Sequence, residues 1–256
     1  MMKVISLQSG SNGNCIYVEA AGRRLLFDAG ISGKQAQLRL ASRGVDIRSV
    51  EAVIISHDHS DHIRCAGIYQ RKFGLPVYAT ARTLQAARTC SQLGELADVR
   101  HFAPGQTLAF GDLAVQTIHT PHDAVEGVAF IIADGRARLG ILTDLGHVFD
   151  GLADLIASLD AVLLESNYDA EMLRDGPYPP MLKRRIAGPG GHLSNVESAR
   201  LLRLAAGGRM KWACLAHLSE QNNCPAVAMR THRSIIRPTL PLAVASRYEP
   251  SEWMTV

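Results

Sequence analysis

The chain has 256 residues, 47% hydrophobic and 20% charged, with Lys+Arg 27 against Asp+Glu 24. That supplies a full core and too little net charge for disorder, and the lack of long Pro/Gly/Ser tracts, charge blocks or solenoid-period repeats excludes linkers and arrays. No apolar run approaches the ~18 residues of a spanning helix, and Met1-Met2-Lys3-Val4-Ile5-Ser6 turns polar too early for a signal peptide, so a cytoplasmic protein without membrane contact is expected.

In chain order, β-branched or apolar runs predict strands over Lys3 to Leu7, Ile16 to Glu19, Arg24 to Phe27, Ala52 to Ile55 and Val77 to Ala79. Later strands are predicted over Leu113 to His119, Val128 to Ala133, Leu139 to Leu142, Ala161 to Glu165, Trp212 to Ala216 and Leu242 to Ser246. Ala21-Gly22 and Asp134-Gly135 read as hairpin turns, so the early part reads as antiparallel sheet. Ser32-Gly33-Lys34-Gln35 and Ser194-Asn195-Val196-Glu197 fit the capping box that opens a helix, and Gly44, Gly74 and Gly94 follow helical stretches as stops. Hairpins followed by crossovers, repeated in two halves, predict an α/β fold: two mixed sheets packed face to face with helices outside, a four-layer αββα sandwich. No linker divides the halves, so residues 1–256 read as one domain.

The five cysteines (Cys15, Cys65, Cys90, Cys214, Cys224) are odd in number and never spaced Cys-x-x-Cys, which favours small buried apolar residues over disulfides or a thiolate metal site. Between Arg174 and Arg237 eleven Lys/Arg stand against three Asp/Glu. That bias fits a solvated face or a surface that meets a polyanion.

The histidines carry more information. Ala52-Val53-Ile54-Ile55 is a buried-strand pattern that empties into Ser56-His57-Asp58-His59-Ser60-Asp61-His62. In extended chain His57, His59 and Asp61 share a face, and a turn into helix after Ser60 brings Asp61 and His62 toward a second centre. One loop can then serve two metals. Imidazole nitrogen with carboxylate oxygen suits zinc, and iron or manganese as well.

His57-x-His59-x-Asp61-His62 at a strand end resembles the signature of the metallo-β-lactamase superfamily, a binuclear hydrolase fold. That resemblance implies a later His, a metal-bridging Asp and a last His at strand ends, matched by His122 in Thr120-Pro121-His122-Asp123, Asp144 in Leu142-Thr143-Asp144-Leu145-Gly146, and His217 in Leu215-Ala216-His217-Leu218. By it, His57, His59 and His122 hold one divalent metal, Asp61, His62 and His217 the other, and Asp144 bridges. Further segments look like the YycJ-type (WalJ) family: Ser6 to Cys15, Phe27-Asp28-Ala29-Gly30, Glu165-Ser166-Asn167-Tyr168-Asp169, Gly191-His192-Leu193-Ser194-Asn195 and His217 to Asn223. Gln8 and Cys224 depart from it, standing where Gly and Thr are usual. The resemblance implies a cytoplasmic, metal-dependent 5′-to-3′ exonuclease on duplex DNA, with mismatch-repair proteins as partners.

Asp28 resembles the Asp that orients a ligand loop through hydrogen bonds. His192 precedes the helix opened by Ser194 and Asn195, where amides favour anions, and the resemblance gives it a phosphate or leaving-group role. Lys183, Arg184 and Arg185, with Arg200 and Arg203, lie in the same basic stretch and could contact phosphates without reading sequence. By strand alternation His119 reads as a packed, hydrogen-bonded side chain, and His101, His147 and His232 stand apart from metal spacing, His147 being a weak supporting candidate.

No Gly-x-Ser-x-Gly elbow or phosphate-binding P-loop occurs, so water is the expected nucleophile, activated as hydroxide between two divalent metals (Zn or Mn, with Fe also compatible). Asp61 would orient it and His192 would protonate the departing oxygen. Metal-activated water also attacks cyclic phosphodiesters and thioesters, so a small-molecule phosphodiesterase, a thioester hydrolase and a non-catalytic metal-binding member are the rival readings. A flavodiiron reductase would have Glu at the His59 position. Only seventy-two residues separate Asp144 from His217, too few for the cap domain of β-CASP nucleases.

Overall fold

The computed structural model describes residues 1–205, 208–236 and 239–256. The first half runs β1 (Lys3–Gln8), β2 (Cys15–Ala20), β3 (Arg23–Phe27), α1 (Gly33–Ala41), β4 (Ala52–Ile54), α2 (Ser60–Ile63), α3 (Ala66–Phe73), β5 (Val77–Ala79), α4 (Ala81–Cys90) and β6 (Val99–His101). The second runs β7 (Thr107–Phe110), β8 (Leu113–His119), β9 (Val128–Ala133), β10 (Arg138–Leu142), α5 (Leu152–Ala157), β11 (Ala161–Glu165), α6 (Ala170–Asp175), α7 (Pro180–Ile186), α8 (Asn195–Ala205), β12 (Trp212–Ala216), α9 (Pro225–Ile235), β13 (Leu242–Val244) and β14 (Met254–Thr255).

The strands form two seven-stranded mixed sheets, ordered β14-β1-β2-β3-β4-β5-β6 and β13-β12-β11-β10-β9-β8-β7, the last strand of the chain crossing back to join the first sheet beside β1. Pairing is antiparallel through the hairpin strands and turns parallel from β3 to β6 and from β10 to β13. Ala21 and Gly22 both take positive φ, 50° and 73°, the backbone of a turn whose twist matches the strands it joins. Ser32 caps α1 by accepting from the Gln35 amide, and Gly74 ends α3 in the left-handed region, as the sequence implies.

Three apolar layers hold the sandwich together. Val18, Phe27, Phe130 and Leu163 pack between the sheets; Leu26, Leu40 and Tyr69 join the first sheet to its helices, and Leu164, Leu202 and Ala228 join the second to its own. This is the expected αββα order. The sequence pattern missed β6, β7 and β14, which are edge strands whose partly exposed side chains leave no run of buried positions to read. A small separate cluster of Tyr168, Leu173 and Ile186, flanked by Tyr178 and Leu182, fixes α6 and α7 as an arm over one end of the sandwich.

Candidate metal centre

The expected ligands all sit where strands end. Asp28 and His217 directly follow β3 and β12, and Asp144 stands two residues beyond β10, after Thr143. All three take φ near the left-handed region (65°, 56° and 57°), a conformation that non-glycine residues hold only where the surroundings enforce it. After β4 the chain bends at Asp58 and His59, and His59, with φ/ψ of −64°/142°, is the residue before α2. Asp61 and His62 then fall in the first helical turn, so one loop does present two sets of groups. The Ala29 amide donates to the His62 carbonyl at 2.7 Å and the Asn14 amide to that of Asp61 at 2.8 Å. Gly30 is required by this approach, because a Cβ there would lie 1.7 Å from the Asp61 carbonyl oxygen.

Donor atoms of His57, His59 and His122 lie within 4.8 Å of one another, and those of Asp61, His62 and His217 do the same. Asp144 lies between the sets, with carboxylate oxygens 3.3 Å from His62 Nε2, 3.3 Å from His217 Nδ1 and 3.7 Å from His122 Nε2. Buried His57 Nε2 and Asp144 Oδ2 have no hydrogen-bond partner. Orphaned polar atoms are costly in a protein interior, and two of them aimed into a His/Asp cluster fit a cation.

Most of the histidines are oriented from behind. His62 Nδ1 donates to Asp28 Oδ2 at 2.7 Å, leaving Nε2 toward Asp61 and Asp144. Asp28 also accepts from the Ser56 amide at 2.8 Å and hydroxyl at 3.0 Å, and Ser56 Oγ lies 2.9 Å from His57 Nδ1. His122 Nδ1 donates to the Gly191 carbonyl at 2.9 Å. His59 is turned the other way, with Nδ1 3.2 Å from His122 Nε2 and Nε2 3.8 Å from Asp123. Such partners fix tautomer and ring plane, and they matter to a metal site nearly as much as the ligands.

Glu165, which sequence reasoning quoted within a motif but gave no role, is the hub of the second half. Fully buried at the end of β11, it accepts from His192 Nδ1 at 2.7 Å and lies 3.3 Å from His217 Nδ1. It also accepts from the amides of Leu145 at 3.1 Å and Leu193 at 3.2 Å. The available signal was an acidic residue closing the apolar run Ala161-Val162-Leu163-Leu164.

The electrostatics show a demand for positive charge. Burial opposes a charge on His217, yet Asp144, Asp61 and Glu165 raise it to about 10. Burial likewise works against His62, which Asp144, Asp28 and Asp61 hold well above its ordinary value. His57 goes the other way, pushed well down by burial and then by its histidine neighbours, so its imidazole is neutral and ready to ligate. A cavity of about 320 Å³ is lined by Asp61, Asp144, His192 and His217 together with Tyr178 and Leu182 of the arm.

Residues 23–217 match the family model described as beta-lactamase superfamily domain. The exodeoxyribonuclease WalJ of Streptococcus pneumoniae serotype 2 (strain D39) is 38% identical over 227 residues, covering 88% of this chain and 84% of that protein. The chain belongs to the metallo-β-lactamase superfamily, in the WalJ/YycJ family. The exodeoxyribonuclease YycJ of Bacillus anthracis is 36% identical over 224 residues, covering 87% of this chain and 84% of its own length. Among solved structures, the metallo-β-lactamase fold protein YhfI of Bacillus subtilis superposes with a TM-score of 0.74 at 18% identity, covering 98% of each chain. Membership and the His/Asp cluster together make the chain a metal-dependent hydrolase that uses divalent metal ions.

Within this superfamily scaffold the other expected residues are distributed unevenly. His192 lines the cavity, joined to Glu165. Ser194 does not face it: its amide and hydroxyl both donate to Glu197 Oε2, at 2.9 and 2.6 Å, so the start of α8 is filled by its own carboxylate instead of being open to an anion. Asn195 is buried beside Ser166 and Asn223. Arg185 lines the cavity while paired with Asp123, Lys183 donates to the Arg174 carbonyl, and Arg184 is exposed. Arg174 and Arg209 of the basic stretch are also paired, with Asp175 and Asp160; Arg237 lies outside the described residues. His119 is exposed at the end of β8, contrary to the packed position expected, because alternation places Thr117 inward but fails at the strand's last residue. His147 is exposed on the Pro189 carbonyl and His101 on that of Ala79, whereas His232 is buried between Ala228 and Ser198. Among the described residues no helix is long and apolar enough to cross a membrane.

Proposed function

We propose that the chain is a binuclear phosphodiesterase that removes nucleotides 5′ to 3′ from duplex DNA. The observation that supports this reading is the pair of His and His/Asp groups with Asp144 within 3.3 Å of His62 and 3.7 Å of His122, beside one cavity. The named activity of the WalJ and YycJ relatives supports the choice of DNA. His57, His59 and His122 would hold one divalent ion, Asp61, His62 and His217 the other, with Zn or Mn as the candidates. Bound there, two such ions lower the pKa of water toward ~7 and stabilise the oxygens that gain charge at phosphorus.

The protein's own groups do the rest. Asn14 Nδ2 donates to Asp61 Oδ2 at 3.2 Å and so fixes the carboxylate that orients the attacking water. Water adds to phosphorus, the bond to the leaving sugar oxygen breaks, and that oxygen takes its proton from His192, whose Nδ1 is held by Glu165 so that Nε2 is the nitrogen left for substrate. Arg185 at the rim is a candidate for a backbone phosphate contact, with Lys183 and Arg184 farther out on α7. The reading also places the protein in the cytoplasm, as one domain, with mismatch-repair proteins as its partners by family resemblance.

The test is degradation of end-labelled duplex DNA by protein reconstituted with Zn or Mn, beside Asp144→Ala. Progressive loss of label from the 5′ end, absent in the variant, supports the reading. Hydrolysis of cyclic phosphodiesters or thioesters with duplex DNA left intact would replace it.

A further inference from the structure

Part of the cavity wall belongs to neither sheet. It is the arm from Tyr178 through α7, where Tyr178, in the bend before the helix, and Leu182 and Ile186, one turn apart on it, line the cavity together with Arg185. Their apolar surface shares with the carboxylates and imidazoles a cavity of about 320 Å³, the lower end of the roughly 300–1,000 Å³ range of small-ligand sites. That is the scale of one nucleotide.

Access supports the same conclusion. His57, His62, Asp144 and His217 are each 3% exposed or less, while the His59 and Asp61 side chains are 28% and 18% exposed, so a phosphate must enter the cavity that the arm borders to reach the buried set. A phosphate on the convex surface of an intact duplex stays above that rim; one on a strand that has left the duplex can enter. A base leaving its stack needs a replacement surface, and an aromatic ring with an aliphatic neighbour is sequence-tolerant in that role.

We propose that Tyr178 and Leu182 form a stacking wall for the base of a single unpaired terminal nucleotide, so that the enzyme admits one frayed nucleotide at a time and releases mononucleotides. This rests on the nuclease reading above and adds the form in which DNA enters. The chemistry is the hydrolysis already described, with the terminal nucleotide's sugar oxygen as the leaving group.

The experiment uses the metal-reconstituted full chain on duplexes, labelled at either end, that differ only in the terminal pair: G·C, A·T, or one unpaired nucleotide. Label should leave as mononucleotide, faster from unpaired and A·T ends than from G·C. Tyr178→Ala should raise KM roughly 10-fold or more, with metal content unchanged, while Tyr178→Phe retains wild-type KM. Products of two or more nucleotides, or rates independent of the terminal pair, would overturn the proposal while leaving the nuclease intact, and wild-type KM in Tyr178→Ala would overturn the stacking wall. No degradation of any of the DNAs would remove the nuclease reading and this inference with it.

Discussion

Glu165 Oε1 lies 2.7 Å from His192 Nδ1 and 3.3 Å from His217 Nδ1, so one buried carboxylate orients both a proposed proton donor and a proposed metal ligand. Glu165→Gln keeps the shape and loses the acceptor charge. We expect kcat to fall about 100-fold, the scale of general acid catalysis, with a smaller change in KM. Steady-state kinetics on labelled DNA checks this, and wild-type kcat would show that His192 needs no such partner.

Asp28 plays the matching part for His62 and Ser56 on the first sheet. Asn tolerates the φ of 65° at this position, so Asp28→Asn should fold. Without the carboxylate, metal affinity should drop roughly 10- to 100-fold, read by competition with a chelator. Unchanged affinity would reduce Asp28 to a packing residue.

His232 is fully buried away from the centre, held by the Ala228 carbonyl and Ser198 Oγ, and burial pushes it down to about 4. Its folded value lies below the ~6.5 of an unfolded chain, so the stability it permits is complete above that pH and is lost as pH falls toward 4. The loss from this group should be about 3 kcal/mol across the window. Denaturant titrations at several pH values check it: His232→Leu should flatten that slope, and an unchanged slope would assign it to other groups.

Ser194 and Glu197 satisfy each other at the start of α8. Ser194→Ala should therefore lower stability by about 1 kcal/mol, visible in thermal melting, with KM for DNA unchanged. A raised KM at constant melting temperature would instead place the hydroxyl on substrate.

What the sequence made legible follows from how local each signal is. His57, His59, Asp61 and His62 are packed into six residues behind an apolar strand, so their shared purpose shows without a structure; His122, Asp144 and His217 became legible through the family resemblance and their strand-end positions. Glu165 did not, because its partners His192 and His217 lie 27 and 52 residues away; the parallel pairing of β11 with β12 brings in His217, and the bridge between Tyr168 and Ser194 brings in His192. Ser194 was legible as a cap, and the structure shows that this role occupies the very groups that substrate binding would need. Tyr178 carried no signal at all, since the arm packs as a small cluster outside the sheet cores and has no strand or helix period long enough to read.

The most direct test is a crystal structure of metal-loaded protein with anomalous difference maps and a measured metal content. The account predicts two ions per chain, one among His57, His59 and His122, the other among Asp61, His62 and His217, with Asp144 between them. A single ion, or one held by Glu165 and His192, would contradict it.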